Sequence, residues 1–154
     1  METNPILYVV LNKELNMSAG KAAAQAVHAA MMLGERGNSF ITHNKRTVVV
    51  LGAENAEQIK NLQEYISLTP LLADYYIDEG INEVGAYSVT ALACEPIEAG
   101  DEKFREIFAP FKLYGGDSAV DAWEALSNYS NRNNGWMSLP WFVKKTIKWL
   151  YKIK

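Results

Sequence analysis

Short continuous apolar runs alternate along the chain with longer stretches whose apolar residues recur at helical spacing. Ile6-Leu7-Tyr8-Val9-Val10-Leu11 is too brief for a helix and partly β-branched, so it reads as a buried strand. From Ser18, a suitable N-cap, the pattern becomes an alanine-rich helix that ends near Glu35, between Gly34 and Gly37. A polar loop from Asn38 to Arg46 leads to Thr47-Val48-Val49-Val50-Leu51, a second buried strand. Between Ala53 and Ser67, the residues Ala56, Ile59, Leu62 and Ile66 predict a second helix, which Pro70 stops. Leu71 to Ile77, ending at Asp78, predicts a third strand with Gly80 in the turn after it, and Tyr87 to Cys94 predicts a fourth. Asp101 to Phe108 reads as a short helix before Pro110, while Phe111 to Tyr114 either pairs at a sheet edge or simply packs. This order is that of an α/β layer with a mixed sheet.

Gly115-Gly116 marks a boundary, which divides the chain into a domain over 1–115 and a helical extension over 116–154. In the extension, Asp117 to Tyr129 reads as a short helix and Ser130 to Gly135 as an Asn-rich loop. Ser138 and Pro140 open a last helix. Lys144, Lys145, Lys148 and Lys152 take one arc of that helix, and Phe142, Val143, Ile147, Trp149, Leu150 and Ile153 take the rest. Residues 1–115 hold nine Lys/Arg against fifteen Asp/Glu, net −6, whereas 116–154 hold six against three, net +3. An acidic body with a basic tail is unlike a generic nucleic-acid binder. Three readings of the lysine arc stay open: the solvated side of a helix docked on the domain, a guide for RNA, or a contact to an anionic surface.

At 154 residues, 49% apolar and 21% charged, the chain suits one soluble domain with a real core. Its single cysteine, Cys94, rules out an internal disulfide and suggests a reducing, cytoplasmic setting. Residues 1–16 lack the pattern of a secretory or transit signal, and no apolar run nears the roughly 18 to 20 residues of a membrane span. The absence of CxxC, HExxH and Gly-rich phosphate-loop motifs leaves metal and nucleotide cofactors without support.

The candidate chemistry starts in the first helix. Lys21, Gln25 and His28 fall at i, i+4 and i+7, so a cation, an amide and an imidazole share one stripe of an alanine-lined surface. Spacing alone also fits a solvated helix face. His43, beside Asn44, Lys45 and Arg46, belongs to a polar loop whose plain reading is solvation.

Four features carry a more specific reading: the Glu14-Leu15-Asn16-Met17 turn, Gly20-Lys21 with Ala23-Ala24-Gln25 and His28-Ala29, Asp78-Glu79-Gly80 with Thr90 on the next strand, and Lys112-Leu113-Tyr114. In this order over roughly residues 5 to 115, the chain resembles the type 2 peptidyl-tRNA hydrolases. The resemblance implies a single three-layer α/β domain with a four-stranded mixed sheet, hydrolysis of the ester joining peptide to tRNA, and a homodimer as a frequent state. It places Lys21, Gln25, Asp78 and Thr90 at catalytic positions and His28, Lys13, Asn82 and Ser88 at substrate-binding ones. This sequence departs from the family pattern at Asn12, where a basic residue is common, at Asn82, often Thr, and at Gly85-Ala86-Tyr87, which replaces an Ala-Pro-Gly turn.

An ester is easier to cleave than an amide, so a positioned water, charge at the carbonyl oxygen and a grip on tRNA suffice without a covalent nucleophile. On this reading Asp78 accepts a proton from water or orients it, and Thr90 relays a hydrogen bond. Lys21 faces the oxyanion or a terminal phosphate and keeps Asp78 ionised, while Gln25 fixes ester or water. His28 serves as support or RNA contact. The competing reading is a non-catalytic RNA- or protein-binding module on the same fold, and a third is a membrane-peripheral adaptor led by the tail.

Overall fold

A computed structural model describes residues 4–36, 47–81 and 83–115. The expectations for His43, Asn82, the boundary at Gly116 and the helices of 116–154 lie outside the described residues.

The strands are β1 (Ile6–Asn12), β2 (Thr47–Ala53), β3 (Ala73–Asp78), β4 (Ser88–Cys94) and β5 (Lys112–Leu113). They form one sheet in the order β3-β4-β1-β2-β5. The helices are α1 (Ala19–Arg36), α2 (Ala56–Ser67) and the single turn α3 (Glu102–Arg105), with 3-10 turns at Lys13–Leu15 and Glu106–Phe108. β1 and β2 run parallel, joined by the α1 crossover, and all other pairings are antiparallel. The sheet therefore has five strands, not four. Leu113 and Lys112 pair with Leu51 and Gly52, so the segment after Pro110 adds an edge strand rather than merely packing.

Every residue of β1 is buried, which explains its unbroken apolar run: strands covered on both faces need no polar alternation. Odd-numbered Leu7, Val9 and Leu11 pack with Ala22, Ala29 and Leu33 of α1, whereas Ile6, Tyr8 and Val10 pack with Ile59, Leu62 and Ile66 of α2. These two cores make the three layers. Local caps agree with the sequence. Asn55 accepts the Gln58 N–H at the start of α2, and Asp101 does the same for Phe104 at α3. Asp101 to Phe108 is thus a capped turn of α-helix running into a 3-10 turn rather than one helix.

Candidate active site

Ser18 sets the register of the site. Its hydroxyl accepts the Lys21 N–H at 3.3 Å, which caps α1 and fixes where the stripe begins. Packing then sorts the stripe by depth: Gln25 is 1% exposed, Lys21 is partly buried and His28 is exposed. Alanines explain how an amide reaches so far in, since Ala22 and Ala29 of α1 belong to the same core as Ala91 and Ala93 of β4. Small residues on both sides let helix and strand approach closely.

Asp78 ends β3 opposite this stripe and is 8% exposed. Its Oδ2 accepts from Lys21 Nζ at 3.0 Å and from Gln25 Nε2 at 2.8 Å, and its Oδ1 accepts the Gly80 N–H at 2.7 Å. The Gly80 amide is the largest influence on this carboxyl, and with Lys21 and Gln25 it outweighs burial and holds Asp78 below its ordinary range. Sequence reasoning missed the part of Gly80, although an aspartate two residues before a turn glycine is the signal for it. Gly80 has φ +77°, and a Cβ there would sit 2.4 Å from the Ala86 backbone, so no other residue fits the turn without strain.

Thr90 reaches the site through a break in strand register. Tyr76 pairs with Ala91 and Ile77 with Val89, so Thr90 is an extra residue bulged out of β4. Strict alternation from Cys94, Leu92 and Val10's face would aim Thr90 at α2. The bulge instead puts both Thr90 and Ala91 on the α1 side, while Val89 joins the α2 core. The fully buried Thr90 hydroxyl donates to Gln25 Oε1 at 2.6 Å, which commits Gln25 Nε2 to Asp78. Asn12, also 1% exposed, donates from Nδ2 to the Val89 carbonyl at 3.0 Å and accepts the Glu14 N–H at Oδ1, also at 3.0 Å. The departure at Asn12 is therefore an interior clasp on the bulge, a role its sequence position did not signal.

An open cleft of about 200 Å³ lies at this end of α1, lined by Lys21, His28, Tyr76, Asp78, Glu79 and Ile81. Tyr76 stacks on His28 with ring centroids 4.9 Å apart and planes 11° from parallel. Lys13 and Ser88 are not part of this lining, although Ser88 is the cross-strand partner of Asp78. Lys13 pairs with Glu54 at 3.0 Å, its stem lying over Gly52, and Ser88 donates to the Gly85 carbonyl at 2.6 Å. Glu83, not foreseen, accepts both the N–H and the hydroxyl of Ser18, at 3.0 and 2.6 Å, and so ties the β3–β4 connection to the start of α1. Cys94 is fully buried in the α2 core, and burial together with Glu95 pushes its thiol up to about 12. It stays protonated and away from the cleft at neutral pH.

The geometry agrees with two sequence comparisons. A family model described as peptidyl-tRNA hydrolase PTH2 matches residues 6–114. A peptidyl-tRNA hydrolase of Pyrobaculum aerophilum is 29% identical over 116 residues, which cover 69% of this chain and 94% of that protein. The family match spans all five strands and all three helices of the described domain, from β1 to β5. The chain belongs to the PTH2 peptidyl-tRNA hydrolase family.

Proposed function

We propose that the chain hydrolyses the ester bond of peptidyl-tRNA to release peptide and tRNA, by attack of a water molecule and without a covalent intermediate. The observation that carries this reading is the continuous chain from Thr90 through Gln25 to Asp78, met from the other side by Lys21, at the wall of an open cleft. Family membership supports the substrate class.

Of the two roles open to Asp78, orienting water fits better than taking its proton. A carboxylate with three donors and a lowered pKa is a weak base but a firm acceptor for a water O–H. Lys21 gives one of its three N–H bonds to Asp78, which leaves its charge at the cleft wall to meet the oxyanion formed when water adds to the ester carbonyl. Collapse of that intermediate expels the ribose oxygen, and the proton of the attacking water passes to it directly or through solvent water in the open cleft, so no protein group has to hold it. Thr90 acts on Gln25 rather than on substrate, since it is fully buried. The inert thiol of Cys94 supports water over a protein nucleophile.

The test is turnover of an N-acetylaminoacyl-tRNA beside the unblocked aminoacyl-tRNA. Hydrolysis of the blocked form alone is the expected result. Tight tRNA binding with no turnover of either overturns the enzyme and favours a binding module.

A further inference from the structure

The cleft has two unlike ends. Lys21 and Asp78 make one of them polar, and their ion pair leaves it close to neutral. At the other, His28 and Tyr76 form a parallel ring stack, with Ile81 82% exposed at the same cleft. His28 is exposed and its ring meets Tyr76 in the stack, so the stack borders the open cleft. Glu79 adds a carboxylate to this lining, so Lys21 is one cation against two anions. Such a lining offers an anion only the partly neutralised Lys21, and away from that cation it suits a flat, neutral ring system, better still one that carries an amine donor.

We propose that the His28–Tyr76 stack is the subsite for the terminal nucleobase of the tRNA, an adenine-type ring, and that it sets how the ester approaches Lys21 and Asp78. This rests on the hydrolase reading above. In that substrate the base is attached to the same ribose that carries the ester, so whatever grips the base must lie within one nucleoside of the reacting carbonyl. The stack meets this condition: Tyr76 lies two residues from Asp78 on the same face of β3, and His28 is two helical turns from Lys21 on the same stripe of α1. An aromatic pair reads a π face rather than a sequence, which suits a 3′ end common to every tRNA.

Adenosine, N-acetylphenylalaninamide and inorganic phosphate are titrated separately into the full chain, and the ring resonances of His28 and Tyr76 are followed by NMR. Adenosine is expected to shift both upfield and the other two probes to leave them in place. Tyr76→Ile and the exposed His28→Ala are each expected to abolish the adenosine response. Each is also expected to raise KM for N-acetylaminoacyl-tRNA about tenfold, the scale of one lost base stack, with a smaller change in kcat. Ring shifts with the capped amino acid instead of adenosine overturn the proposal in favour of a peptide subsite, and shifts with phosphate alone overturn it as well. An unchanged KM in both variants does the same. Wild-type turnover of the blocked tRNA separates the two levels: its loss with the adenosine shifts intact sinks the hydrolase reading and leaves the base subsite standing.

Discussion

The two faces of the sheet are built from the same strands and have opposite characters. On the α2 side the core is large and apolar: Ile59, Ile66 and Leu92 are fully buried, and Tyr8 stacks flat on Phe108 at 4.3 Å. On the α1 side the helix and β4 contribute mostly alanines, and that face receives the polar chain of Gln25, Thr90 and Asp78. Among the described residues the buried polar side chains are Asn12, Gln25, Asp78 and Thr90, and all four meet at or beside the β4 bulge and the end of β3. One face supplies burial, and the other gives up bulk to hold polar groups in fixed directions. Because an unpartnered buried polar group costs about 1–3 kcal/mol, each break in the α1 face's chain of hydrogen bonds should lower the stability of the fold by about that much.

Substitutions can break this contrast. Asp78→Ala and Lys21→Ala should each lower kcat/KM on N-acetylaminoacyl-tRNA by about a thousandfold while the circular dichroism spectrum keeps its folded form. Turnover like wild type in both would end the division of labour. Ile59→Ala should do the reverse, destabilising the fold by about 2–5 kcal/mol in urea titrations with kcat per folded molecule nearly unchanged. Asn12→Asp keeps the acceptor for the Glu14 N–H but removes the donor to the Val89 carbonyl, so it should cost about 1–3 kcal/mol and also lower kcat. If Asn12 acts on turnover through Thr90, adding it to Thr90→Val should lower kcat no further. Additive losses would separate the two residues.

The smallest expected effect is electrostatic. Asp78 has a folded pKa below its usual 3.8, so the stability it contributes is present above about pH 4 and is lost as pH falls through the folded value. The Tm difference between wild type and Asp78→Asn should therefore hold steady from pH 7 to 5 and shrink on further acidification. A difference that grows with acid would reverse the sign and refute the assignment.

Much of the fold was legible because period and burial agree. The continuous run of β1, the spacing of Ile59, Leu62 and Ile66, and the caps at Asn55 and Asp101 all point the same way locally and globally. The fifth strand was ambiguous because two residues of pairing leave no periodicity to read. In the site, the stripe of Lys21, Gln25 and His28 was visible, but its sorting by depth was not, since it depends on alanines of a strand some 65 residues away. Thr90 was named from the family motif, yet alternation counted back from Cys94 sends it to the wrong face. A bulge has no composition of its own here, and Asn12, which holds it, shows its purpose only once β1 and β4 lie side by side. The surroundings of Lys13 were hidden for a related reason: its stem lies over Gly52 and its ammonium pairs with Glu54, both at the end of a strand that sequence order places far away.

The extra residue in β4 also bears on how this protein can be improved. A ladder straightened by deletion at Val89 or Thr90 would gain a regular backbone pairing but leave the buried Gln25 Oε1 without its donor. The regained pairing is then set against an unpartnered amide oxygen in the core. A screen for heat resistance alone therefore has reason to retain the irregularity, and with it the aim of Thr90.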